Sequence, residues 1–176
     1  MLKSLLSCGI VFAALSIGLR AGDPPVKANP VHPQFEKLKK LVGTWVEVGK
    51  DGKPTDRVVS VYRMTAGGSA IHETQMPGTN EEMISVYHLN GADLEMTHYC
   101  MLGNQPKMKA DPKSPANQIH FQFAGGSNLN PAKDMHMHEA TMTFVDDDHI
   151  EICGVAWADG KPCENACCQM KLARKK

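Results

Sequence analysis

The sequence has no excess of either charge: 19 Lys and Arg residues stand against 19 Asp and Glu in 176 residues. Bulk charge therefore gives it no pull toward nucleic acid or an anionic lipid surface. Past its first 21 residues it has no apolar run long enough to cross a bilayer. It shows no internal repeat, which excludes solenoid and propeller arrays, and no low-complexity segment beyond a Pro-rich stretch near the N-terminus. The Gly-rich segments "TAGGSA" and "FAGGSN" introduce no helix with a phosphate-binding pattern and read as turns. "DDDH" is too short for a calcium loop, and Glu73, Glu81 and Glu82 form no general acid and base pair.

What is present begins with a leader. Lys3 precedes the apolar run "LLSCGIVFAALSIGL", and small-residue chemistry at Ala21 comes just before the Gly22-Asp23-Pro24-Pro25 break. This pattern predicts a signal peptide over 1–21, a Pro-rich leader over 22–32 and one domain over 33–176. The expected location is secreted or periplasmic, with no membrane contact after cleavage. Loss of Lys3 and Arg20 leaves 17 basic residues against 19 acidic ones. Loss of Cys8 leaves five cysteines: Cys100, Cys153, Cys163, Cys167 and Cys168. An odd number in an oxidising compartment requires a free thiol, an intermolecular bridge or a metal ligand. The simplest expectation is one local disulfide among Cys163, Cys167 and Cys168, excluding the vicinal pair, whose side chains point apart on a strand.

Pro33 suits a first helical turn, and Phe35, Leu38 and Leu41 or Val42 make one apolar stripe, which Gly43 ends. Alternation then takes over. Strands are predicted near Thr44 to Val48, Arg57 to Thr65, Ser69 to Gln75, Met83 to Leu89, Asp93 to Leu102, Gln118 to Ala124, His136 to Val145, His149 to Trp157 and Ala166 to Ala173. Turn chemistry separates them, most clearly "LNGADL", where Asn90-Gly91 supplies the positive φ of a tight hairpin. Nine consecutive strands joined mostly by hairpins imply an all-β antiparallel meander, best closed into a barrel because closure removes the edges.

A short helix running into "LVGTW" resembles the lipocalin, or calycin, pattern, in which Gly-x-Trp opens the barrel and an arginine of the last strand packs over the indole. Gly43, Trp45 and Arg174 match these parts, and the resemblance implies a structural role for all three. A guanidinium over an indole is favourable by about 1–2 kcal/mol when partly desolvated. More specifically, "TAGGSAIHET", "PGTNEEMISVYHLNG", "LEMTHYCMLGNQPKM", "HMHEATMTFVDDDHI" and "WADGKP", in this order, resemble the bacterial lipocalin-like domains of the DUF1579 type. The resemblance spans about Phe35 to Arg174 and implies the fold, but no activity. "CENACCQMKL" departs from the cysteine-free alternating last strand expected of those domains.

Alternation also sorts the candidate residues. Leu94, Met96, His98, Cys100 and Leu102 share a largely apolar, inward face, with His98 and Cys100 roughly 7 Å apart along the strand. Ile84, Val86 and His88 share a face, as do His136, His138, Ala140, Met142 and Phe144. The hairpin at "NGAD" is expected to bring His88 near His98, so that His88, His98, Cys100, His136 and His138 converge at one end of the interior. The expected function is binding of a small, mostly apolar molecule, with these five residues, Tyr99 and Gln105 as polar contacts near the mouth. No cofactor is required by this reading. The alternative is a copper, zinc or haem binder using His136, His138, His98 and His88, with Met135, Met137 and Met142 nearby. A thiol enzyme with Cys100 activated by His98 ranks last, because no third residue orients the pair. The oligomeric state is not legible.

Overall fold

A computed structural model describes residues 31–176, with the backbone alone over 164–168. The expected signal peptide, most of the leader and Cys8 lie outside the described residues. One helix, α1 (Pro33–Lys39), precedes ten strands: β1 (Gly43–Val48), β2 (Pro54–Thr65), β3 (Ala70–Gln75), β4 (Met83–Asn90), β5 (Asp93–Tyr99), β6 (Gln105–Ala110), β7 (Gln118–Ser127), β8 (His136–Phe144), β9 (His149–Ala158) and β10 (Lys161–Arg174). Every strand pairs antiparallel with its sequence neighbour, and β1 pairs with β10 to close the barrel. The all-β barrel with a short N-terminal helix is therefore present. Among the described residues no helix is long and apolar enough to cross a membrane.

The helix starts where its chemistry demands. Pro33 takes the first turn, and His32 caps it by accepting the Phe35 N–H at Nδ1, 3.3 Å away. Phe35, Leu38 and Leu41 are buried and join the core with Trp45, Ile150 and Leu172. Val42 is exposed, so the stripe resolves in favour of Leu41. At this end of the barrel Trp45 lies opposite Arg174 across the β1–β10 seam. The Arg174 guanidinium carbon sits 4.5 Å from the indole centroid. Its nitrogens donate to the carbonyls of Val42 (3.0 Å), Lys40 (2.7 Å) and Asp147 (3.2 Å), and pair with Asp148. Gly43 has φ +133°, which favours glycine, and a Cβ there would stand 3.1 Å from Arg174 Nη1 and press on the guanidinium.

Three features differ from the sequence expectation. The strand β6 is additional: Pro106, Met108 and Ala110 face inward while Lys107 and Lys109 are exposed. The strand β5 stops at Tyr99, and Cys100 to Asn104 form a turn closed by Cys100 N–H to Asn104 O and Gly103 N–H to Cys100 O. Cys153 is disulfide-bonded and Cys163 is free, so no bridge inside the C-terminal group uses Cys163. The shift in pairing between Pro162 and Cys167 takes Cys163 out of the regular ladder.

Candidate functional site

Inside the barrel, away from the helix, lies a cavity of about 180 Å³. Its wall is mainly apolar: Met76, Met83, Met96, Met137, Met142 and Met170, with Val59, Phe121, Ala140 and Ile152. Glu73, Gln75, Tyr87 and His98 are the polar groups on it.

Two of these, Glu73 and His98, belong to one band that strand pairing builds. Tyr62 on β2 lies opposite Glu73 on β3, Glu73 opposite Ser85 on β4, and Ser85 opposite His98 on β5. Directly paired residues share a face, and all four are buried. Glu73 is 1 % exposed. Its Oε1 accepts the Ser60 hydroxyl at 2.8 Å and its Oε2 the Tyr87 hydroxyl at 2.6 Å. Burial pushes both Tyr87 and Tyr62 well above the usual tyrosine pKa, and the Glu73 charge adds to this in each. Among the described residues the buried Tyr62 hydroxyl meets no partner in full hydrogen-bond geometry, although it lies beside Glu73 and Ser60. The Ser85 hydroxyl is 3.0 Å from His98 Nδ1, and Gln75 Nε2 approaches the same hydroxyl at 3.5 Å. Burial lowers the His98 pKa to about 4, so the ring is neutral at physiological pH.

Of the seven residues expected at a binding site, His98 alone lines this cavity. His88 is on the other face of β4, its side chain 42 % exposed, with Nε2 3.8 Å from Glu95. The two-residue turn Gly91-Ala92 sets Asn90 opposite Asp93, which pairs His88 with Glu95 and His98 with Ser85. The two histidines are thus offset by an odd number of residues and point to opposite faces. Tyr99 is half exposed on the face opposite His98. Cys100 is in the turn beyond β5, off the cavity, and the partner of His98 is Ser85 instead of the thiol. Gln105 opens β6 and is tied down away from the cavity, donating to Gly103 O and accepting from Ser127.

His136 and His138 form a separate cluster. A register shift between Met137 and Glu139 breaks the parity of β8, so that Met137, Ala140 and Met142 face the cavity. His138 is instead stacked between Trp157 (centroids 3.8 Å apart) and Phe123 (4.8 Å). His136 Nδ1 lies 2.8 Å from the Asp134 carbonyl, which only accepts, and His136 Nε2 lies 3.0 Å from His138 Nδ1. With a proton on His136 Nδ1, its Nε2 lone pair takes the His138 N–H. Burial, with the neighbouring His136 second, lowers the His138 pKa. The His136 lone pair is thereby committed to its neighbour. The expected convergence of His98, His136 and His138 on a metal is not formed, and among the described residues no group of three or more His, Cys, Asp or Glu is placed to hold one.

The residues that sequence reasoning missed are Glu73, Gln75, Tyr87 and Ser85. The cue for Glu73 was the alternation Ile71, Glu73, Gln75 in "AIHETQ", which places a carboxylate on the face of a core isoleucine. No protein-family model matches the chain, and no curated protein matches it.

Proposed function

We propose that this protein is a secreted or periplasmic carrier of one small, mainly apolar molecule, held in the barrel cavity, and that its relatives are the lipocalin-like domains of the DUF1579 type. One observation carries the reading: a methionine-walled cavity with a few fixed polar groups inside the barrel. Its size is comparable to a dry apolar cavity of about 150 Å³ that takes benzene. The helix-to-Trp45 entry and the Arg174 cover over Trp45 support the lipocalin resemblance. The disulfide at Cys153 suits an oxidising compartment.

Toluene tests this reading. At about 100 times its dissociation constant it stabilises a one-site protein by roughly 2.7 kcal/mol, so the wild type should melt several degrees higher in its presence. Ala140→Leu puts a branched side chain into the same space and should abolish the shift. A wild type that melts unchanged in saturating toluene, or an Ala140→Leu variant that responds equally, removes the proposal.

A second reading is favoured by the sulfur content of the wall. Six thioethers and the neutral His98 ring are a soft donor set of the kind that selects copper(I). Under this reading the protein takes one equivalent of copper(I) from a chromophoric chelator under anaerobic conditions, and His98→Gln takes less. Failure of the wild type to compete with the chelator disposes of it. Methionine used only as an adaptable filler would give that result.

A further inference from the structure

Glu73 is a carboxylate without a counter-charge. Among the described residues no lysine, arginine or histidine forms an ion pair with it. Among the described residues the one basic group on the cavity wall, His98, is neutral, and its Nδ1 is engaged with Ser85. Two hydroxyls satisfy one lone-pair direction on each carboxylate oxygen. A carboxylate has about four such directions, so acceptor capacity remains on a group that faces the cavity. Taking a carboxylate out of water is costly unless a cation compensates it. Among the described residues the fold supplies hydroxyls to it but no cation, which leaves that part to an occupant.

The remainder of the wall says what else the occupant carries. Gln75 is also on the cavity wall, and with its Nε2 directed to Ser85 its carbonyl oxygen is left as a second acceptor. The rings of Phe121 and Tyr87, 5.7 Å apart, are both on the cavity wall, and an aromatic face attracts a cation. The methionines demand an apolar body. A space of about 180 Å³ holds roughly six to eight non-hydrogen atoms, by comparison with a benzene-sized cavity. An anionic ligand would be repelled by Glu73, and a purely apolar one would leave the carboxylate uncompensated.

We infer that the cavity takes a small protonated amine, its ammonium group against the Glu73 carboxylate and the Gln75 carbonyl, its apolar body among the methionines. This rests on the cavity being a ligand site, as proposed above, and adds the chemical class.

The test compares three probes of nearly equal shape: benzylamine, benzyl alcohol and toluene, titrated calorimetrically at pH 7.5 into the full chain and into Glu73→Gln. Benzylamine should bind the wild type at least tenfold more tightly than either neutral probe. Glu73→Gln should lose that preference while still binding toluene. A wild type that prefers toluene or benzyl alcohol overturns the amine and keeps the cavity. A wild type that binds none of the three overturns both. If Glu73→Gln does not fold, the wild type alone decides. Raising the pH past the pKa of benzylamine should weaken its binding and leave toluene unchanged; parallel pH profiles overturn the inference. The titratable groups facing Glu73 are Tyr62 on β2, Tyr87 on β4 and His98 on β5. Burial holds the tyrosines protonated and His98 neutral throughout that range.

Discussion

Trp45→Ala should destabilise the protein by about 3–5 kcal/mol, the range for removing a buried aromatic side chain. Trp45 is fully buried where α1, β1 and β10 meet. Truncation removes its contacts with the helix stripe, leaves the Leu41 carbonyl without the indole N–H that now sits 2.7 Å away, and strips the ring from under Arg174. At about 2–4 °C per kcal/mol for a chain of this size, the melting temperature should fall by roughly 6–20 °C. Urea denaturation checks it through the midpoint at unchanged slope. Trp45→Phe keeps the apolar body and should cost less than half as much. A loss under about 1 kcal/mol for Trp45→Ala would mean that the indole is not the anchor of this end.

This seam was legible in the sequence because its residues carry their own punctuation. Pro33, the stripe ending at Leu41, Gly43 and Trp45 form one run of thirteen residues. Strand alternation also showed most of the barrel, since a half-buried strand repeats every two residues. The strand β6 was hidden because Pro106 and the turn chemistry of Gly103-Asn104 mark a loop, and only the alternation of Lys107, Met108, Lys109 and Ala110 marks a strand.

The candidate site was less legible for a physical reason: period two gives two faces but does not say which is inside. In "MISVYHL" both faces are apolar enough to be buried, and alternation alone does not separate Ile84, Val86 and His88 from Ser85 and Tyr87, which are the buried pair. A one-residue slip in register reverses every side chain, and here the Gly91-Ala92 turn sets it. On β8 the irregular step between Met137 and Glu139 has no sequence signature, so the parity linking His138 to Ala140 failed locally. Glu73 makes no acid and base pair with Glu81 or Glu82 in the sequence around it. Its role emerges from Tyr62, Ser85 and His98 on three other strands, which pairing alone brings into line.

His98 makes the second large effect one of pH. Burial lowers its folded pKa to about 4, against 6.5 for a free ring. Above pH 6.5 the ring is neutral in folded and unfolded chains alike and contributes no pH dependence. Between pH 6.5 and 4 the unfolded chain binds a proton that the folded chain refuses, so stability falls as pH falls. The difference of about 2.5 units corresponds to roughly 3 kcal/mol lost across that window. Carboxylates elsewhere also titrate at the acid end, so the measurement is a difference. Urea midpoints for the wild type and His98→Gln, taken at intervals from pH 7.5 to 4, should diverge below pH 6.5, with the wild type falling more steeply. Glutamine retains an amide oxygen to accept the Ser85 hydroxyl and cannot take up the proton, so Ser85 and Gln75 keep their contacts while the titration disappears. Parallel curves would mean that water reaches the imidazole in the folded state. The row from Tyr62 to His98 would then not be the dry polar band on which a cavity ligand depends.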